Sequence, residues 1–206
     1  MLESFKERRL WFFIFTISLF SLLFVHYFLQ IYLFMKPCVH CVYLRFAMLV
    51  MCVASFLGLV FKAKFMQVLS LFLGGWGVFL GLKHSFLLNK IQASLKENNP
   101  FGIDGCTSIT NFPLSLPLDK LFPSLFAPSG ICGLDLAFVS EDVNLSRVQE
   151  FFIGRAENNF SDGLYSQGWY LVPKFEFISM AQACMLIFGI FGLCLIFILF
   201  LNIKKS

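Results

Sequence analysis

The sequence predicts an all-α membrane protein, a four-helix transmembrane bundle with a long loop between helices 3 and 4. Hydrophobic residues make up 58% of the 206 residues, 29 are Phe, and the mean hydropathy of +0.79 is too high for an ordinary soluble domain. The apolar residues are concentrated in four long runs. Basic residues lie mostly at the ends of these runs, so the net charge of +4 indicates membrane topology and not a nucleic-acid surface.

The first two runs predict a tight helical hairpin. Residues 11–34 are uncharged and exceed the roughly 7 to 15 residues of a signal-peptide core, and no small-residue cleavage site follows them. We therefore expect this run to remain as a spanning helix. Only residues 35–40 separate it from the second span at about 41–61, whose sole charge is Arg45.

The remaining spans enclose a polar region of nearly ninety residues. The third span, at about 65–88, follows the basic connection 62–64, and the fourth, at about 177–203, ends at two lysines. The segment 89–176 between them is the predicted long loop. We predict a single membrane domain over residues 1–206.

Charge predicts the orientation of the bundle. Seven Lys or Arg residues and two acidic residues flank the runs at the two termini and the 62–64 turn, whereas residues 89–176 carry ten acidic and six basic residues. The positive-inside rule then places both termini in the cytoplasm. In a bacterium this is a multi-pass inner-membrane protein whose 35–40 turn and long loop face the periplasm, where disulfides persist.

Two cysteine pairs carry the candidate chemistry. Cys38 and Cys41 form a Cys-x-x-Cys pair at the start of the second span, and such a pair can open and close a disulfide with little backbone movement. The second pair, Cys106 and Cys132, lies in the long loop. Five prolines argue against regular helix there and predict an extended, mobile segment that presents a disulfide to another protein: Pro100, Pro113, Pro117, Pro123 and Pro128.

Later in the loop, apolar residues at helical spacing between residues 145 and 152 predict a short interfacial helix with Asn144 as its cap. Trp169 and Tyr170, just before the last span, fit an aromatic belt. Two patterns resemble the extended acceptor sequence of bacterial N-glycosylation, a motif short enough to arise often by chance: Asp142-x-Asn144-x-Ser146 and Glu157-x-Asn159-x-Ser161.

The chain resembles the DsbB family of quinone-dependent disulfide-generating membrane oxidoreductases. The resemblance covers almost the whole chain and rests on residues 37–45 (PCVHCVYLR), residues 112–120 (FPLSLPLDK) and the spacing of Cys106 to Cys132. Residues 168–173 (GWYLVP) and 180–185 (MAQACM) are closer to the DsbI branch.

The resemblance implies an electron route. A soluble periplasmic thioredoxin-fold oxidase of the DsbA or DsbL type would give electrons to the pair Cys106 and Cys132. Cys106 would form the mixed disulfide with this oxidase, and Cys132 would be the second cysteine of the pair. Cys38 would exchange with this loop pair, and Cys41 would be the sulfur next to a bound ubiquinone or menaquinone. Cys41 opens a helix, and a helix N-terminus favours a thiolate. Arg45 lies one turn further on the same face, so it can stabilise the Cys41 thiolate, bind a quinone carbonyl, or do both.

One departure concerns a quinone-side histidine that the family often has near the outer end of the third span. Leu88 stands at the matching position, and His84, one turn earlier, is the candidate substitute. His40 is either a solvent-facing spacer or a group that tunes the thiols. We expect Cys52, Cys184 and Cys194 to be small buried apolar residues.

Other interpretations of the cysteines remain open from sequence. Four thiols divided between a membrane hairpin and a proline-rich loop make a poor zinc knuckle, so we expect no metal site. Arg45 could be an interfacial anchor whose head group reaches outwards. At the level of function, the alternatives are a reductant-side thiol electron carrier and a non-catalytic membrane assembly protein with two structural disulfides.

Overall fold

The computed structural model describes residues 2–97, 106, 110–113, 116–133, 135–139, 143–155, 158 and 160–205. Within these residues, four helices are long and apolar enough to cross a membrane, which confirms the predicted bundle. The helices and strands have the following bounds: α1 Leu2–Leu23 with a π-helical continuation Phe24–Tyr32, α2 Val39–Val60, α3 Lys64–Lys96, α4 Leu118–Leu121, α5 Pro123–Phe126, α6 Arg147–Ile153, β1 Tyr170–Val172, β2 Phe177–Ser179 and α7 Met180–Lys205.

The long helices pack as neighbours in a bundle. Helix α2 lies between α1 and α3, and α7 packs on α3 and on α1. The connections 33–38 and 61–63 are too short for anything but antiparallel neighbours. Large side chains such as Trp11, Met51 and Phe188 are fully buried among the four helices.

One face of α3 allows close helix contact because its residues are small. The buried positions along this face are Ser70, Gly74, Gly77, Gly81 and Ser85. A methyl group at Gly81 would contact the ring of Phe188, and one at Gly74 would lie 3.1 Å from Leu195. Such small residues let helices approach closely in lipid, where van der Waals packing holds them together.

Helix α3 continues past the predicted end at Leu88 as far as Lys96. Its last two turns bring Ile91 and Leu95 against the loop, where both side chains pack on the main core. At the other end of the loop, the predicted fourth span begins too early. Residues 177–179 form β2, which pairs with β1 in an antiparallel ribbon leading into α7.

The prediction that the segment between the loop cysteines contains no regular helix is wrong. Helices α4 and α5 lie in this segment, and proline occupies their starts: Pro117 directly precedes α4 and Pro123 is the first residue of α5. A proline at the first position loses no hydrogen bond, because the first N–H groups of a helix have no partner within it.

The short helix after residue 145 is confirmed as α6, but the predicted cap is wrong. Ser146 and not Asn144 caps it: the Ser146 hydroxyl accepts from the Gln149 N–H, and the Gln149 side chain accepts from the Ser146 N–H. The Gln149 amide also donates to the Tyr32 carbonyl at 2.9 Å, which fixes α6 at the end of α1. Asp142, Glu157 and Asn159 of the glycosylation patterns lie outside the described residues.

Candidate active site

Cys38 and Cys41 lie at the N-terminus of α2. Cys38 is the capping residue, and its Sγ accepts a hydrogen bond from the Cys41 N–H at 3.2 Å. Both are free thiols; Cys38 is buried and Cys41 is half-buried. The helix begins at Val39, two residues before the predicted start, so both sulfurs lie where unpaired N–H groups favour a thiolate.

The long loop is hydrogen-bonded to the turn that precedes Cys38. Before Cys132, the Gly130 N–H donates to the Pro37 carbonyl at 2.9 Å. After Cys132, the Phe138 N–H donates to the Phe34 carbonyl at 3.0 Å. These contacts hold Cys132 against the start of α2, and Cys38 and Cys132 belong to the same buried cluster.

Cys106 and Cys132 form a disulfide. Cys132 is fully buried, whereas Cys106 is half-buried, so Cys106 is the more accessible sulfur. The next residue, Gly133, has φ +79°, and a side chain there would contact Leu95 at the end of α3. The structure thus places a loop disulfide beside a free dithiol, the arrangement that thiol–disulfide exchange requires.

A cavity of about 510 Å³ opens beside Cys41 between α1, α2 and α7. Cys41 and Arg45 line it from α2, Cys184 lines it from α7, and Trp169 lines it from the loop. Most of the remaining wall is apolar and includes Leu22, Leu29, Met48, Ile178 and Ile187. Cys184 therefore packs against the core but is half-buried at a cavity wall and not fully buried as expected; Cys52 and Cys194 are half-buried as well.

Arg45 is buried and hydrogen-bonded within the protein. Its Nη1 donates to the Gln30 Oε1 and, at 3.0 Å, to the Leu125 carbonyl. The Gln30 amide in turn donates to the Ser124 carbonyl at 2.7 Å. Among the described residues, the Arg45 Nε has no hydrogen-bond partner. A side chain held in this way does not fit an interfacial anchor that reaches outwards to solvent.

His84 does not line the cavity with Cys41 and Arg45. Its Nδ1 lies 3.1 Å from the Nδ1 of His40, and its ring stacks on Tyr43 with 4.4 Å between centroids. The Tyr43 hydroxyl accepts from the Asn111 N–H at 2.8 Å, which joins this aromatic group to the loop. His40 is 4% exposed, so the solvent-facing alternative for His40 is wrong.

Comparison with known proteins shows the family to which the whole chain belongs. Residues 7–198 match the family model described as "Disulfide bond formation protein DsbB". The chain belongs to the DsbB family. As a member of this family, the protein is a disulfide-forming membrane oxidoreductase. Its four candidate spans, together with the family, make it a multi-pass inner-membrane protein.

Relatives of this DsbB-family protein carry the name DsbI. The putative protein-disulfide oxidoreductase DsbI of Campylobacter jejuni strain RM1221 is 41% identical over 197 residues, which cover 94% of this chain and 72% of the relative. The protein-disulfide oxidoreductase DsbI of Escherichia coli O1:K1 is 35% identical over 206 residues, covering 98% of this chain and 88% of the relative. No solved structure gives a significant match.

Two residues of the site were missed from the sequence. Gln30 binds Arg45, and it is the only amide side chain within residues 11–34, so an isolated polar group in a span was the available signal. Trp169 was assigned to an aromatic belt, yet it lines the cavity, and among the described residues its indole N–H has no partner. No sequence pattern distinguishes these two roles of a tryptophan.

Proposed function

We propose that this protein is a thiol:quinone oxidoreductase that reoxidises a periplasmic thioredoxin-fold oxidase of the DsbA or DsbL type. One observation carries the proposal: Cys41 and Arg45 line one apolar cavity, while Cys38, three residues from Cys41, lies in the same buried cluster as Cys132. The Cys-x-x-Cys pair thus connects the loop disulfide with a cavity that opens between the helices.

The residues around the cavity fit a membrane quinone. The buried Arg45 Nε is a hydrogen-bond donor without a partner among the described residues, and it suits a quinone carbonyl. Apolar side chains along α1 and α7 suit a prenyl tail. When bound, ubiquinone or menaquinone supplies a two-electron acceptor. Arg45 orients the head group and favours the negative charge of the Cys41 thiolate.

The protein's own sulfurs perform two exchanges. A thiolate of the reduced partner attacks Cys106, the more accessible sulfur of the loop pair, and Cys132 leaves as a thiolate. The partner's second thiolate then breaks the mixed disulfide, which releases the oxidised partner and leaves Cys106 and Cys132 as a dithiol. The loop pair then reduces the Cys38–Cys41 disulfide by attack at Cys38. Cys41 leaves as a thiolate at the N-terminus of α2, facing the cavity.

We also propose that both termini face the cytoplasm and that the cysteine-bearing loops face the periplasm. Arg8, Lys62 and Lys64 line a cavity formed by α1, α2, α3 and α7 at the end of the bundle where the 61–63 connection lies. Cys38 lies at the other end of α2. This asymmetry supports the orientation that the positive-inside rule predicts.

A trapping experiment in cells tests the assigned order of the cysteines. Cys132→Ser leaves Cys106 as a thiol without its loop partner, so a Cys106 thiolate that attacks the disulfide of the oxidised oxidase forms a mixed disulfide that Cys132 cannot release. This complex should accumulate on non-reducing gels. Cys106→Ser should trap no complex and leave the oxidase reduced, and Cys52→Ser is the matched thiol control. An oxidase that stays fully oxidised with Cys106→Ser would contradict the assignment.

The assembly-protein alternative needs two structural disulfides. The described residues include all seven cysteines and contain one disulfide, Cys106–Cys132, with Cys38 and Cys41 left as free thiols at a helix start. No feature of the described residues favours the reductant-side carrier. Its direction depends on reduction potentials, and the trapping experiment above also reports that direction through the redox state of the partner.

A further inference from the structure

A polar cavity of about 460 Å³ lies at the end of the bundle opposite the cysteine pairs. It opens between α1, α2, α3 and α7, where a short connection joins α2 to α3. Three basic side chains line it: Arg8 of α1, Lys62 of the connection and Lys64 at the start of α3. Among the described residues on its wall, Glu7 is the one acidic side chain. The cavity therefore carries a net positive charge that suits an anion.

The three basic side chains are free to contact a ligand. Arg8, Lys62 and Lys64 are exposed, and no acidic side chain of the described residues forms an ion pair with any of them. Cations that line one cavity repel one another, and an anion bound among them removes that repulsion. An anion in this cavity is thus stabilised by three charges at once.

Two buried amide atoms on the same wall lack hydrogen-bond partners. The Asn202 Nδ2 of α7 is a donor with no partner among the described residues. Gln67 of α3 donates its Nε2 to the Gly58 carbonyl at 3.0 Å, but its Oε1 accepts no hydrogen bond from the described residues. Because a buried polar atom without a hydrogen bond is unfavourable, these two atoms indicate a ligand that supplies both an acceptor and a donor.

An apolar groove continues from this cavity along the outside of α1. The groove has a volume of about 700 Å³, and Arg8 and Leu59 line both it and the polar cavity. Further along α1 its wall includes Phe12 and Ile17. The hydroxyl of Thr16, on the same wall, already donates to the Phe12 carbonyl at 2.9 Å. Beyond the arginines, the groove therefore suits a hydrocarbon chain.

We propose that the polar cavity and the groove together bind an anionic glycerophospholipid with hydroxyl groups in its head group, such as phosphatidylglycerol. The phosphate binds among Arg8, Lys62 and Lys64 and accepts from the Asn202 amide. A head-group hydroxyl donates to the Gln67 Oε1, and one acyl chain follows the groove between α1 and α2. This site takes no part in thiol or quinone chemistry and stands apart from the proposed function.

A lipid in this position stabilises the bundle. All four long helices or their connections contribute residues to the polar cavity, so one bound molecule contacts each of them. A ligand that binds the folded state and not the unfolded chain raises the melting temperature in proportion to its occupancy. Binding can thus be measured without any electron donor or acceptor.

A lipid titration of the delipidated full-length protein in detergent tests the site. Native mass spectrometry should show one tightly retained phosphatidylglycerol, and the melting temperature should rise to a plateau as this lipid is added. Phosphatidylcholine with the same acyl chains has no net charge and should do neither. Inorganic phosphate and glycerol 3-phosphate should give no comparable rise at equal concentration. A rise of the same size with either soluble phosphate would overturn the lipid assignment.

The charge of the cavity is tested by Lys62→Gln, with Lys6→Gln as the matched control. Lys62→Gln should raise the apparent Kd for phosphatidylglycerol by at least about fivefold, as expected for the loss of a charge-assisted hydrogen bond. Lys6→Gln removes the same charge from the same end of the bundle, but Lys6 lines neither the polar cavity nor the groove. It should bind as the parent does. Equal losses in the two variants would show diffuse attraction to positive charge and overturn the site.

The buried amide of Asn202 is tested by two substitutions. Asn202→Leu removes the donor at similar size and should raise the Kd for phosphatidylglycerol by about threefold or more. Asn202→Asp places a carboxylate on the wall and should abolish binding. The melting temperature without lipid shows whether each variant is folded. A folded Asn202→Asp protein with the parent's Kd would overturn the site, whatever the outcome of the quinone assays.

Discussion

Gly130 is the residue on which the approach of the two cysteine pairs depends. A methyl group there would contact the carbonyl of Lys36, because the Gly130 N–H donates to Pro37 across a close backbone contact. We expect Gly130→Ala to weaken the docking of the loop on the turn before Cys38 by about 1 to 3 kcal/mol. Exchange between the loop disulfide and the Cys38–Cys41 pair should slow by roughly tenfold or more, measured by alkylation quench.

Gly189→Ala is the control for this change. Among the described residues, and outside the local backbone of α7, no atom lies within 4 Å of a methyl group added at Gly189, so the substitution should leave the exchange rate unchanged. Equal exchange rates in Gly130→Ala and the parent would contradict the inferred docking of the loop.

We predict that changing Arg45 raises the KM for quinone and that changing His84 does not. Arg45→Lys keeps the charge but loses the guanidinium donors, so the KM for quinone should rise by roughly tenfold or more, as expected for loss of a charge-assisted hydrogen bond. His84 contacts His40 and Tyr43 and not the cavity, so His84→Ala should leave this KM within about twofold. A large increase in the KM for quinone with His84→Ala alone would contradict the cavity site and would indicate that quinone binds beside His84.

Sequence could nominate Arg45 because a lone charge in a span is conspicuous, but it could not find the partners of that side chain. Gln30 and Leu125 lie 15 residues before and 80 residues after Arg45, and only the folded hairpin and the docked loop bring them together. His84 was nominated by its distance along α3. Its actual contacts depend on the rotation of α3 against α2, which hydropathy does not report.

At the scale of single helices, the packing of α3 on α7 gives a stability prediction. Gly81→Ala places a methyl group in contact with the fully buried ring of Phe188 and should cost about 1 to 3 kcal/mol. The melting temperature of the protein in detergent should fall. In the part of the chain that the structure describes, a methyl group added at Gly75 meets no atom within 4 Å outside the local backbone of α3, so Gly75→Ala should melt as the parent does. Equal melting of Gly81→Ala and Gly75→Ala would contradict the packing.

The cap of α6 gives a second element-level prediction. Ser146→Ala removes the hydroxyl that accepts from Gln149 and should cost about 1 kcal/mol of local stability. Because Gln149 also holds α6 on Tyr32, limited proteolysis should cut residues 147–153 faster. Asn144→Ala, at the originally predicted cap, should leave cleavage unchanged; faster cleavage there would reinstate Asn144 as the cap.

Long elements were predictable and short ones were not, for physical reasons. Four apolar runs predict four helices because each must span a hydrocarbon layer of fixed thickness. The end of α3 was missed because Asn89, Lys90 and Gln92 are polar, although Ile91 and Leu95 continue the buried face. Helices α4 and α5 were missed because their prolines suggested breaks, whereas proline at a helix start is tolerated.

For the whole molecule, orientation is the first quantity to measure. A phosphatase that is active only in the periplasm should be active when fused after Lys120 and inactive when fused after Lys64. Activity in the reverse pattern would place the cysteines in the reducing cytoplasm and contradict the proposed function.

Electron flow through the whole molecule is the central claim, and quinone reduction by the purified protein in detergent tests it most directly. Reduced thioredoxin-fold oxidase is the electron donor, and Cys41→Ser and Arg45→Ala are compared with the parent and with Cys52→Ser. We predict turnover in the parent and in Cys52→Ser, none with Cys41→Ser, and a weakened rate with Arg45→Ala. No turnover with ubiquinone or menaquinone, while all four outer cysteines stay oxidised under mild reductant, would contradict the account and favour a structural role for the disulfides.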